Sequence, residues 1–286
     1  RPVRSVYPFI KSETLVFSKF DPSNPPTVDV LLLALPHGQS HRFMLDLLSK
    51  TDAMILDMSA DFRLPADLFE AYYNEAHQSK SVLDIFSYGL PELFLDDIQE
   101  KPHCALPGCF ATAMLLALYP IKHLGIQSVV IDGKTGISGA GRKPIISNLY
   151  CEINESVFPY NTGTHRHMAE LKKYIALPML FSPHVVPMST GILCSHYIKL
   201  ASNRDIIYKT YHDYYANSRF VRLLSNSINQ SRAVLNTNYA QLSIVNNDFL
   251  SVFVTLDNLM KGAASQAIQV LNIKQGWPED RGIQHE

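Results

Sequence analysis

A chain of 286 residues, 47% hydrophobic and 18% charged, has the length for one large or two ordinary domains and the balance of a soluble globular protein. A net charge of −1 without any lysine or arginine block argues against nucleic acid and anionic membrane surfaces as partners. No apolar run approaches the roughly 20 residues that cross a bilayer. Cys104, Cys109, Cys151 and Cys194 show no CxxC spacing, which reads as reduced thiols in a cytoplasmic compartment rather than a disulfide framework. The first residue is Arg1 and no signal-like apolar segment follows, so the expectation is a chain that begins after processing or as a fragment.

In chain order, 21–26 is a proline-rich loop, and the continuous apolar run 28–35 suits a strand buried on both faces of a parallel sheet. Pro36-His37-Gly38 breaks it. Helical spacing follows over 40–48, then a second buried strand over 53–58, which together make a βαβ unit. Ligands in such sheets bind beyond the carboxyl ends of the strands, where Pro36-His37-Gly38 and Ser59-Ala60-Asp61 fall. A helix is predicted over 111–119, directly after Pro107-Gly108-Cys109. Beyond it the texture changes to that of an α+β domain with a mixed sheet. Strands are predicted over 128–137, 192–200 and 249–256, with a glycine-rich turn at 138–143. The tail of the segment 184–192 reads as a turn, with His184 a structural histidine. A last helix over 258–271 carries Gly262, Ala263, Ala264 and Ser265 on its early turns and is expected to return to the first domain.

The stretch Leu106 to Thr112 carries the most information. Its Pro-Gly turn places the Cys109 thiol at a helix N-terminus, where free N–H groups and the macrodipole favour an anion. A thiol there is expected to ionise more readily than a free one and to act as a nucleophile; the plain alternative is a small buried apolar side chain. Its proton-transfer partner is sought in Gly163-Thr164-His165-Arg166-His167-Met168-Ala169-Glu170. There, His165 and His167 suit acid–base work, zinc binding, or capping of a helix starting near Met168, and Arg166 suits bidentate anion contact. No third zinc ligand stands at a recognised spacing. Ser138-Gly139-Ala140-Gly141-Arg142 is either a phosphate cradle or a plain turn. Arg63 is either half of a surface salt bridge or a contact for an anionic substrate.

In order along the chain, Leu35-Pro36-His37-Gly38, Asp57-Met58-Ser59-Ala60-Asp61-Phe62-Arg63, Tyr88-Gly89-Leu90-Pro91-Glu92, Pro107-Gly108-Cys109 and Ser138-Gly139-Ala140-Gly141-Arg142 form a series. It continues with His165-Arg166-His167, Pro183 to Met188, Phe220-Val221-Arg222 and Asp257 to Ala264. The whole series resembles the N-acetyl-gamma-glutamyl-phosphate reductases of the semialdehyde dehydrogenase superfamily. The resemblance implies a Rossmann-like, doubly wound parallel sheet in residues 1–107 and 258–286 as a partial dinucleotide-binding domain. It implies a catalytic and dimerisation domain of α+β type with a mixed sheet in 108–257, assembled as a homodimer or homotetramer.

By the same resemblance, Cys109 is the nucleophile and His165 with His167 the active-site pair, with no metal. NADP(H) is the cofactor, with His37, Ser138, Gly139, Gly141 and Asn258 near its nicotinamide end. Arg63, Arg142 and Arg166 are candidates for the phosphate or carboxylate of an acyl-phosphate substrate. The implied reaction reduces that acyl phosphate to an aldehyde through a cysteine thioester, in arginine biosynthesis. Aminoadipyl and aspartyl phosphate reductases, a cysteine hydrolase and a non-catalytic remnant are the competing readings. The chain departs from the family with Phe110-Ala111 for Tyr-Pro and Ala169 for Pro. The family also opens on a strand, a G-x-x-G-Y-x-G loop and a helix, whereas residues 1–27 contain no glycine. The expectation is therefore a segment preceding Arg1, or a natural truncation.

Overall fold

Two sheets, one of four strands and one of seven, account for the chain order of apolar runs. In the computed structural model, residues 1–141, 146, 149–200, 204–225, 229–247 and 249–283 are described. The run at 28–35 forms strand β1 over Val30–Leu33, and helix α1 follows over Ser40–Leu48. The next elements are β2 (Met54–Asp57), α2 (Ala66–Tyr73), β3 (Phe86–Tyr88), α3 (Pro91–Glu100) and β4 (His103–Ala105). The four strands are all parallel, in the order β1-β2-β4-β3. Alternate residues serve opposite faces. Leu31, Leu33, Ile55 and Ala105 pack with Met44 and Leu47 of α1. Val30, Met54, Leu56 and Cys104 pack instead with Ile98 of α3 and with Ala267 and Val270 of helix α8 (Ala264–Lys274). Helices on both faces are why these strands read as unbroken apolar runs rather than alternating ones.

The final helix therefore lies against the parallel sheet, but it begins at Ala264, six positions after the predicted start at 258. Asp257 is the reason. Its Oδ1 accepts the N–H groups of Leu259 and Met260, and its carbonyl accepts that of Gly262 at 2.9 Å. A separate turn is closed before the helix can propagate.

Helix α4 covers Cys109–Leu118 and starts two residues earlier than predicted, with Cys109 as its first residue. It is apolar all round and buried from Phe110 to Leu118, a helix enclosed by protein rather than half exposed. Strand β5 (Ile126–Thr135), helix α5 (Tyr150–Ile153), strand β6 (Phe158–Pro159), helix α6 (His167–Tyr174) and strand β7 (Met179–Val185) follow. Then come β8 (Ile192–Leu200), α7 (Arg204–Tyr215), β9 (Val221–Leu224), β10 (Ala240–Asn246) and β11 (Leu250–Leu256). These seven strands make one mixed sheet, β6-β7-β5-β8-β11-β10-β9. The pairs β5–β7 and β9–β10 are parallel and the rest antiparallel.

Helix α4 packs on the inner face of this sheet, within a core that includes Ile131, Cys194, Val252 and Val254. Its last-turn carbonyls, which a helix cannot satisfy itself, accept hydroxyl groups from α7: Tyr215 Oη donates to Leu116 O at 2.6 Å and Tyr211 Oη donates to Ala117 O. His184 falls in β7, with its Nδ1 3.2 Å from Asp132 Oδ1 of β5. The turn expected in that segment follows the strand.

Candidate active site

The carboxyl ends of β1, β2 and β4 converge, so that His37-Gly38, Ser59 to Arg63 and Gly108-Cys109 meet at one edge of the parallel sheet. Cys109 lies there at the start of α4, with the N–H groups of Phe110 and of its own backbone near its sulfur. Two close approaches fix the backbone around it. A Cβ at Gly108 would lie 2.3 Å from Nε2 of His167, so only glycine lets that imidazole pack against the chain. A Cβ at Gly262 would lie 2.7 Å from the Cβ of Cys109 itself.

The helix start acts on the thiol in the expected direction, but it does not win. Burial pushes the Cys109 pKa up to about 11; the Phe110 N–H and the Arg63 guanidinium pull it down by less. The expected standing thiolate is thus corrected to a thiol in the substrate-free molecule, because removing the anion from water costs more than the helix terminus returns. Iodoacetamide is accordingly expected to alkylate Cys109 slowly at neutral pH, at a rate climbing about tenfold per pH unit toward the thiol's pKa. Mass-spectrometric kinetics would check this, and a rate flat above pH 6 would contradict it.

The two histidines are held together at the entrance and first residue of α6. Their rings lie 4.7 Å apart, edge to face. Burial lowers the His165 pKa to about 4, with Arg166 adding to the effect, and drives that of His167 well below the ordinary value. Both are neutral imidazoles at physiological pH. The His167 backbone N–H donates to His165 Nδ1 at 3.2 Å, which leaves the His165 proton on Nε2. Among the described residues no hydrogen-bond partner reaches His167 Nδ1, and no group of three metal-ligating side chains forms.

A cavity of about 600 Å³ opens onto Cys109, His165 and His167. His37, Gly139 and Arg166 also line it. His37 is pinned by the Ala60 N–H, which donates to its Nδ1 at 3.0 Å, and burial lowers its pKa to about 4. Asn258 and Ser138 brace the cavity wall rather than face it openly. Asn258 Oδ1 accepts the Gly191 N–H at 2.7 Å and its Nδ2 donates to Ser138 Oγ at 2.9 Å. Gly141 ends the glycine turn with φ +80°, a conformation that favours glycine. Arg142 lies outside the described residues.

Arg63 is a correction. Only 3% exposed, it does not line the cavity: its Nη1 donates to Glu170 Oε1 at 2.9 Å and its Nη2 to Met58 O at 2.7 Å. Its charge is spent on a buried carboxylate rather than offered to a ligand. Among the described residues Arg166 is instead the arginine that lines the cavity, its guanidinium 4.9 Å from the centre of the Tyr73 ring.

Glu170 is the residue that sequence reasoning missed. Its Oε2 accepts Tyr88 Oη at 2.6 Å and the Gly108 N–H at 3.1 Å, in addition to Arg63 on Oε1. One carboxylate therefore ties β3, the loop after β2 and the turn before Cys109 to the helix that begins with His167. The signal was its place three residues after His167, which sets both on one helical face. Tyr73 and Tyr160 also line the cavity, the Tyr160 ring 5.6 Å from that of His165.

This fold and site define an α/β protein of two sheets whose cavity opens onto a cysteine at a helix start. Two family models match the chain: the semialdehyde dehydrogenase dimerisation domain over residues 109–258, and the semialdehyde dehydrogenase NAD binding domain over 1–101. Relatives that carry the name N-acetyl-gamma-glutamyl-phosphate reductase include two that span most of the chain. The one from Campylobacter jejuni subsp. doylei is 39% identical over 277 residues, covering 90% of this chain and 79% of the relative. The one from Alkaliphilus metalliredigens is 38% identical over 274 residues, with the same coverage of 90% and 79%. The chain belongs to the N-acetyl-gamma-glutamyl-phosphate reductase family of semialdehyde dehydrogenases. Among solved structures, aspartate semialdehyde dehydrogenase II from Vibrio cholerae is similar in fold alone, with a TM-score of 0.66 at 16% identity, covering 89% of this chain and 81% of that one.

Proposed function

We propose that this chain catalyses the NADPH-dependent reduction of N-acetyl-gamma-glutamyl phosphate to N-acetylglutamate semialdehyde, releasing phosphate, in the biosynthesis of arginine. One observation carries the reading: a cavity holding Cys109 at a helix start beside two neutral imidazoles and Arg166, in a chain whose relatives bear that enzyme's name.

The residues facing the cavity fit the nicotinamide end of the cofactor. Gly136 and Gly139 line it with bare backbone, which suits the flat face of a ring, and His37 lines the same cavity. NADPH supplies the hydride when bound. The chain's own residues do the rest. Because Cys109 is a thiol in the free enzyme, its proton must pass to the neutral His165–His167 pair as the sulfur attacks the acyl carbon. The carbon–oxygen bond to phosphate breaks, and phosphate leaves with that electron pair. The start of α4 favours the negative charge developing on the carbonyl oxygen. His165, with its proton on Nε2, is the group suited to donate to that oxygen. After reduction the same imidazoles return the proton to sulfur, and Cys109 is restored as the aldehyde departs.

Arg166 is assigned to the substrate's anionic end, since Arg63 is committed to Glu170. Arg166→Gln is expected to raise the KM for the acyl phosphate about 10- to 100-fold, the worth of a charge-assisted hydrogen bond, with a smaller change in kcat. The activity itself is tested in reverse. N-acetylglutamate semialdehyde, phosphate and NADP+ should together yield NADPH, whereas equal efficiency with aspartate semialdehyde would overturn the substrate assignment.

The outer face of the seven-stranded sheet supports assembly as a homodimer or homotetramer. Val130, Leu180 and Tyr197 are exposed there on neighbouring strands, 47%, 45% and 40% accessible, an apolar patch of the kind that self-association covers. No helix among the described residues is long and apolar enough to cross a membrane.

A further inference from the structure

One buried ion pair takes no part in the chemistry above. Lys261 and Glu92 have side chains 0% and 3% exposed, and Lys261 Nζ donates to Glu92 Oε1 at 2.6 Å. Gln269 completes the cluster. Its Oε1 accepts Lys261 Nζ at 2.8 Å and Asn238 Nδ2 at 2.9 Å, while its Nε2 donates to Glu92 Oε1 at 2.9 Å and to Glu279 Oε1 at 2.6 Å. The start of α3, the turn before α8 and α8 itself meet at this point.

Stability does not explain such a pair. Burying an ammonium and a carboxylate costs desolvation, and two apolar side chains of similar size hold elements together at least as well. What a buried pair does supply is one register, because each charge must find its partner. The segment whose register it sets is the wall behind the nucleophile. Lys261 is followed by Gly262, which is wedged so tightly that a Cβ there would lie 2.7 Å from both Cys109 Cβ and Asn258 O. On the far side, Glu92 follows closely on Tyr88, the residue that donates to Glu170, and Glu170 in turn holds the Gly108 N–H. The short segment 88–92 thus anchors both supports of Cys109, one from Glu170 and one from Lys261.

We propose that Lys261 and Glu92 are positioning residues that seat Gly262 against Cys109 and thereby aim the thiol into the cavity. The proposal rests on the reading of Cys109 as the nucleophile, and neither residue touches substrate. Its test is the double variant Lys261→Met/Glu92→Leu, which exchanges the charges for apolar groups of similar size without leaving one unpaired. The melting temperature should stay within a few degrees, since the exchange of a buried pair is often neutral. In the same folded variant kcat should fall about tenfold or more with KM changed less than about threefold, because small displacements of a reacting group are costly. Iodoacetamide should also alkylate Cys109 at a rate changed several-fold at fixed pH. Glu92→Asp is the second variant: it keeps both charges, shortens the reach by one methylene, and should show the same split between kcat and KM. Normal kcat and normal alkylation in either folded variant would overturn the proposal. A Cys109→Ser control separates the two failures, since activity surviving in that control sinks the nucleophile reading itself.

Discussion

Cys109→Ser is expected to lower kcat by at least about 10^4-fold while leaving the melting temperature nearly unchanged, since the nucleophile of a covalent mechanism has no substitute in the site. The structure makes this a demanding test. Burial pushes the Cys109 thiol's pKa up to about 11, so in the proposed mechanism its attack depends on proton removal by the imidazoles that share its cavity. A serine hydroxyl is a far weaker acid still, and the neutral His165–His167 pair is a weak base, since burial lowers the pKa of His165 to about 4 and drives that of His167 well below the ordinary value. The exchange of one sulfur for oxygen barely alters volume at the start of α4, so folding should be spared. The measurement is acid-quench trapping of the acyl-enzyme alongside steady-state rates. A serine variant that still accumulates covalent intermediate, or turns over near the normal rate, rules out the thioester route.

Glu170→Ala is expected to have the largest effect on stability, about 3–5 kcal/mol, because it strands the buried Arg63 charge without its carboxylate. For a chain of this size that corresponds to a fall in melting temperature of roughly 10 °C. Glu170→Gln should recover only part of the loss. All three partners of Glu170 are donors, namely Arg63 Nη1, Tyr88 Oη and the Gly108 N–H. An amide offers them one acceptor oxygen and sets a second donor against them. The same variants should lower kcat, since the Gly108 N–H immediately precedes Cys109. Thermal melts with rate measurements on both variants check the prediction, and a glutamine variant as stable and active as the parent would contradict it.

Much of the fold was legible because its apolar runs carry their own geometry. The runs that became β1 and β2 are short and apolar on both sides, and the structure covers both faces with helices, α1 on one and α3 with α8 on the other. Strand β8 was predicted over 192–200 and occupies Ile192–Leu200. The boundary at Asp257 was not legible, because the side chain that ends one turn and delays the next helix is polar and reads equally well as an N-cap. Cys109 was readable from the Pro-Gly turn before it. Arg63 was misread because its partner, Glu170, lies 107 positions away along the chain.

Local order along the polymer therefore determined the element types, the parallel character of the first sheet, and which thiol and imidazoles stand at element ends, since those features depend on near neighbours and periodicity. Tertiary structure alone decided charge states and commitments. Whether Cys109 is ionised, whether Arg63 is free for a ligand, and what braces Gly262 each depend on dehydration and on partners brought together from distant segments. Desolvation is a property of the enclosed volume, and no run of residues encodes it by itself.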